Sequence, residues 1–204
     1  MSTQVLFPTL VYQARLRLRG WQRLNARLLR ECRQLRADDA AGRRWSVRNY
    51  PGGYTSYNSA HRMHRLSPTF ASLARELDRH VAAFARRLQL DLTARALTMT
   101  DCWVNVMGRG AVHGLHLHPL STISGTYYVA VPEAAKDESA RQGWIKFGEP
   151  SLDIALKNPV RRAIQPVPGR LVLFPSYMWH GTVPFRDQAE RTTIAFDVVP
   201  QRGR

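Results

Sequence analysis

The stretches that decide the fold are Ile123-Ser124-Gly125-Thr126-Tyr127-Tyr128-Val129-Ala130-Val131 and Pro168-Gly169-Arg170-Leu171-Val172-Leu173-Phe174-Pro175. Both are short, rich in β-branched and aromatic residues, and bounded by turn formers, which reads as strand. Similar runs recur from about Leu97 onward, over 98–107, 111–118, 143–147, 160–165, 179–184 and 191–199. So many short strands in about 100 residues predict a β-sandwich or jelly roll. The polar segment 132–142 reads as an exposed loop.

Upstream of Leu97 the period changes. Leu16 and Leu18 alternate with Arg15, Arg17 and Arg19, a short strand pattern. Trp21, Leu24, Leu28, Cys32 and Leu35 then recur at steps of three and four, an amphipathic helix that Asp38 to Gly42 should end. Residues 43–66, with Pro51, Gly52 and Gly53, read as a loop. Ser67-Pro68 opens a second helix, with serine as the N-cap and proline in the first turn. Its apolar face is Phe70, Leu73, Leu77, Val81, Phe84 and Leu88. The expected organisation is one domain over 1–204. A mainly helical part (1–96) packs outside a β core (97–199).

The chain has 204 residues, 44% of them hydrophobic, which suits a packed core. Cys32 and Cys102 are the two cysteines, so a disulfide scaffold and a cysteine-rich zinc module are excluded. No apolar run approaches the roughly 18 residues of a membrane span. No basic segment precedes an apolar run at the start, so the expectation is a cytoplasmic protein with no membrane association. The net charge of +15 admits a nucleic-acid partner as a secondary expectation. Yet lysine stands only at 136, 146 and 157, and arginine supplies the rest. Lysine is a good phosphate binder, so that bias reads as base composition rather than selection for phosphate contact.

Histidines carry the chemistry. His116 and His118 sit two apart in Gly110-Ala111-Val112-His113-Gly114-Leu115-His116-Leu117-His118-Pro119. On a strand they share a face and make half of a metal site suited to Fe, Zn, Cu or Ni. Taken alone, the pair fits surface or hydrogen-bonded histidines better than a metal site. His113, at an odd offset, belongs on the other face unless Gly114 introduces a bulge, and its expected role is pocket-lining or structural rather than ligation. His180 follows the Phe174-Pro175 strand end. A turn over 186–190 then leads to Arg191, which opens an antiparallel neighbour of the His180 strand. His61 and His64 read as surface, and Cys102 as core. No phosphate-binding glycine loop or nucleophile elbow is present.

In this order the residues resemble the Fe(II)/2-oxoglutarate-dependent oxygenases of the prolyl-hydroxylase-like superfamily. Within it they resemble a small subfamily with a His-x-His-Pro motif. The matching pieces are Leu6-Phe7-Pro8-Thr9, Trp103-Val104-Asn105, His116-Leu117-His118-Pro119, Ser124-Gly125-Thr126-Tyr127-Tyr128-Val129 and Phe174-Pro175-Ser176-Tyr177-Met178-Trp179-His180. The resemblance implies a double-stranded β-helix, cupin-like, with the N-terminal helices outside. It implies an enzyme that hydroxylates an unidentified substrate with O2, Fe(II) and 2-oxoglutarate. It places iron on His116, His118 and His180, with no catalytic residue beyond these ligands. Arg191 would anchor 2-oxoglutarate, with Tyr128, Thr193 and Asn105 around it. His118 stands where the superfamily has a carboxylate, so the centre would be three neutral imidazoles.

Two other readings stand beside this one. Gly110 to His118 also fits the opening of a cupin-like three-histidine metalloprotein that does not use 2-oxoglutarate. The cupin glutamate is missing, however; Pro119, Leu120, Ser121 and Thr122 stand there instead. The other is a basic, non-catalytic nucleic-acid-binding jelly roll.

Overall fold

The computed structural model describes residues 2–4, 9–16, 19–93, 95–149 and 162–202. Leu6, Phe7, Pro8 and Leu18 lie outside them. The chain begins with β1 (Tyr12–Arg15), α1 (Trp21–Asp38), α2 (Ala40–Asn49), β2 (Gly53–Thr55), α3 (Met63–Leu66) and α4 (Pro68–Arg87). Strands follow: β3 (Arg95–Met107), β4 (Ile123–Ala130), β5 (Ile145–Phe147), β6 (Arg162–Ile164), β7 (Arg170–Pro175), β8 (His180–Thr182) and β9 (Arg191–Arg202). The larger sheet runs β1-β7-β4-β9-β3-β2 and the smaller β6-β5-β8, with antiparallel pairing in both. This is the expected mainly β, double-stranded β-helix architecture.

Alternation positions everything else. On the outer face of the larger sheet, Cys102, Val104, Val106, Ile123, Tyr127, Leu171, Leu173, Ile194 and Phe196 are buried against the helices. From α1 come Leu28 and Cys32, and from α4 Phe70, Leu73, Leu77, Val81 and Phe84. Asn25 ties α1 to β4. It receives the Tyr127 hydroxyl at 3.0 Å and donates to the Val129 carbonyl at 2.5 Å. The capping of α4 is as expected. Ser67 Oγ accepts from the amides of Thr69 and Phe70, satisfying two donors the first turn leaves open.

Three sequence expectations need correction. Residues 43–66 are not a continuous loop, because α2, β2 and α3 lie there. Asp39 starts α2 by accepting from the Gly42 amide at 2.8 Å, so the segment read as a helix stop is also a helix start. Residues 111–118 do not form a strand. They run as an irregular segment along β8, bridged to it between His116 and His180. Finally, β8 and β9 are not neighbours. The former belongs to the smaller sheet and the latter to the larger, so His180 and Arg191 come from different sheets.

Gly125 leaves no room for a side chain between Phe196 and Leu173. A Cβ there would lie 2.3 Å from Cζ of Phe196, which is fully buried. Gly125→Ala should therefore cost about 1–3 kcal/mol by overpacking. Urea unfolding should show the loss as a lower midpoint at unchanged slope.

Candidate active site

The inner face of the larger sheet carries polar residues in transverse rows, because directly paired residues point the same way. One row is Asp101–Asp197–Ser124, the next Trp103–Ala195–Thr126, and the third Asn105–Thr193–Tyr128, each running β3–β9–β4. Arg191 lies two residues beyond Thr193 on β9. These side chains line a cavity of about 630 Å³. The smaller sheet closes it with Ile145, His180 and Thr182, and the segment 112–120 forms one wall.

His116, His118 and His180 converge in this cavity. One ring nitrogen of each lies within 4.8 Å of the others. His116 and His180 exchange backbone hydrogen bonds at 3.0 Å in both directions, which fixes them as a pair. Their Nδ1 atoms face the carbonyls of Gly114 (2.8 Å) and Met178 (3.0 Å). Such contacts hold the proton on Nδ1 and leave Nε2 as a free electron pair. His118 Nδ1 faces a carboxylate instead, Asp197 Oδ2 at 2.9 Å. The His118 ring also stacks on Trp103, with centroids 5.9 Å apart.

His113 lines the same cavity without joining the three converging nitrogens, by way of the bulge that Gly114 allows. Three residues from His113 to His116 span what two residues span on β8. The Thr182 amide bonds the His113 carbonyl, while His116 pairs with His180. The extra residue, at Gly114, turns His113 inward, where it stacks on Tyr50 at 4.4 Å.

The far end of the cavity is built around a buried arginine. The Arg191 guanidinium donates to the Gly143 carbonyl and lies over the Tyr128 ring, 5.6 Å from its centroid. Arg191 Nε and the Tyr128 hydroxyl are both buried without a hydrogen-bond partner. Two unsatisfied donors beside a buried positive charge are costly on their own, and a carboxylate is the kind of group whose oxygens could satisfy both. The sequence-predicted residues His116, His118, His180, Arg191, Tyr128, Thr193 and Asn105 thus all meet in one cavity. His61 and His64 do not line it. Cys102 is core, and burial pushes its thiol up to about 12.

Sequence reasoning missed Asp197, Tyr50, Tyr57 and Asp101. Asp197 follows Arg191 by six residues, so strand alternation alone placed it on the same face. That signal was available.

Residues 101–197 match the family described as "Putative 2OG-Fe(II) oxygenase". That segment belongs to the 2OG-Fe(II) oxygenases. The chain is therefore an enzyme of this class, with Fe(II) and 2-oxoglutarate as cofactor and co-substrate. Solved structures share the oxygenase fold. Prolyl-4-hydroxylase of Pseudomonas putida is 18% identical with a TM-score of 0.61, covering 95% of this chain and 93% of that one. HygX of Streptomyces hygroscopicus, solved with nickel, 2-oxoglutarate and hygromycin B, is 14% identical with a TM-score of 0.60, covering 95% and 84%. The viral collagen prolyl hydroxylase of Paramecium Bursaria Chlorella virus-1, solved with 2-oxoglutarate, is 11% identical with a TM-score of 0.57, covering 92% and 94%. No curated protein sequence matches significantly.

The oxygenase's cavity favours the neutral form of His113, His116 and His180. Burial, then the neighbouring His116 ring, pushes His180 down from 6.5 to about 3. Burial also lowers His116, and it lowers His113 with help from Arg191. In the unfolded chain His180 protonates near 6.5, whereas in the folded chain it waits until about 3. Between those values the unfolded state binds the extra proton, so acid favours unfolding. The metal-free protein should have full stability from this group above pH 6.5 and lose it as pH falls toward 3. Melting temperatures of His180→Gln should fall less steeply across that window than the parent's. Equal slopes would remove His180 as a source of the pH dependence.

Proposed function

We propose that His116, His118 and His180 hold Fe(II) and that Arg191, with Tyr128, binds the distal carboxylate of 2-oxoglutarate. Thr193 and Asn105, paired with each other in the same row as Tyr128, complete that wall. The carrying observation is the pairing of two features in one cavity. Three converging imidazoles stand at one end, and two orphaned buried donors beside a buried guanidinium at the other. When bound, Fe(II) and 2-oxoglutarate activate O2 for oxidation of a C–H bond. The reaction proposed is hydroxylation of a substrate entering past Trp103 and Tyr57, whose rings meet edge to face at 5.0 Å.

The chain's own residues supply the surroundings. Nδ1 contacts orient each imidazole with Nε2 inward. Tyr128, Ile145 and Phe174 wall the cavity. Arg191 presents a fixed donor fork suited to a carboxylate. Despite the net charge of +15, Arg191 is the one Lys or Arg that lines the cavity among the described residues. The charge excess therefore stays outside. The oxygenase is proposed to act in the cytoplasm, and no described helix is long and apolar enough to cross a membrane.

Anaerobic addition of Fe(II) and then 2-oxoglutarate should produce a metal-to-ligand charge-transfer band. Arg191→Ala should bind Fe(II) as the parent does and lose about 2–5 kcal/mol of 2-oxoglutarate affinity, the cost of removing one partner from a buried charge pair. Tyr128→Phe should lose about 1 kcal/mol. If Arg191→Ala decarboxylates 2-oxoglutarate as well as the parent, the reading gives way to a three-histidine metalloprotein without that co-substrate.

A further inference from the structure

We infer that Asp197 is a positioning residue that returns to the metal centre the negative charge its ligand set lacks. The inference rests on the metal assignment proposed above. Two histidines and one carboxylate would leave an Fe(II) centre at +1, and three neutral histidines leave it at +2. The only carboxylate bonded to any of the three imidazoles among the described residues is Asp197. It faces Nδ1 of His118 at 2.9 Å. His118 alone has this partner; His116 and His180 face neutral carbonyls. The odd histidine, standing where the superfamily has its acid, is thus the one backed by an acid.

Asp197 is held for this task. It is 8% exposed, a low value for a carboxylate with no Lys or Arg bonded to it among the described residues. Its second oxygen accepts from Ser124 Oγ at 2.6 Å. Ser124 Oγ is 2.8 Å from Ser176 Oγ, and the Ser176 carbonyl accepts the His118 amide at 2.9 Å. A closed loop of contacts therefore runs His118–Asp197–Ser124–Ser176–His118. It explains two serines in the Ser124-Gly125 and Phe174-Pro175-Ser176 segments that touch neither the converging ring nitrogens nor the anion pocket. A carboxylate on the outer nitrogen makes an imidazole a better electron donor and fixes its orientation.

The test is Asp197→Asn, which keeps an acceptor for His118 Nδ1 and removes the charge. Relative to the parent, Fe(II) affinity measured by chelator competition should fall about 10–100-fold. The charge-transfer band with 2-oxoglutarate should move to higher energy, because iron with less negative surroundings gives up an electron less readily. The second variant, His118→Asp with Asp197→Asn, moves the carboxylate from outside the ligand to the ligand position. It should bind Fe(II) more tightly than Asp197→Asn alone. A parent that binds Fe(II) together with an Asp197→Asn variant of equal affinity and unshifted band overturns the role of Asp197 and leaves the metal site standing. So does a double variant no tighter than the single one. A parent that binds no Fe(II) overturns the metal assignment itself, and this inference with it.

Discussion

The structure depends on one strand being buried on both faces. β9 is paired to β4 on one side and β3 on the other. Its outward residues Ile194, Phe196 and Val198 pack under the helices, while inward it carries Arg191, Thr193 and Asp197. Alternation forces this division: every second side chain must face the cavity. A polar face removed from bulk water must find its partners inside. The Asp197 end finds Ser124 and His118. The Arg191 end finds only the Gly143 carbonyl, leaving Nε unmatched. One strand therefore holds a satisfied acidic end and an unsatisfied basic end, and the cavity lies between them.

Much of this was legible in the sequence, and for identifiable reasons. The switch in periodicity near Leu97 reflects a real change from one-sided helices to strands. The apolar faces of α1 and α4 came directly from steps of three and four. That the candidate site residues meet in one cavity was readable because residue type and order marked them out. What was not legible depended on contacts distant in sequence. α2 has a weak apolar pattern (Ala-Ala-Gly-Arg-Arg-Trp) and exists through the Asp39 cap, which Tyr54 also bonds at 2.8 Å. The segment 111–118 has strand composition but carries one residue too many between His113 and His116. Only the register against β8 reveals it. Sheet membership was also hidden. A short turn between β8 and β9 suggests neighbours, whereas the chain crosses from one sheet to the other.

The charge distribution follows the same division between surface and interior. An arginine-rich exterior coexists with a cavity holding one guanidinium, two carboxylates (Asp101 and Asp197) and four imidazoles (His113, His116, His118 and His180). Burial is what favours the neutral form of His113, His116 and His180 despite many other cations in the chain. It also separates the thiols from the chemistry. Cys102 lies on the outer face of β3, and its neighbour Trp103 looks into the cavity.

The three histidines do not rest on a common support. His180 and its bridged partner His116 move with the smaller sheet, while His118 is tied through Asp197 to the larger one. An ion held by all three would act as a rivet through both layers of the sandwich. Loading that rivet would stiffen the gap between the sheets as a whole, so amide exchange along β5 and β8 would report on an event at the ring nitrogens.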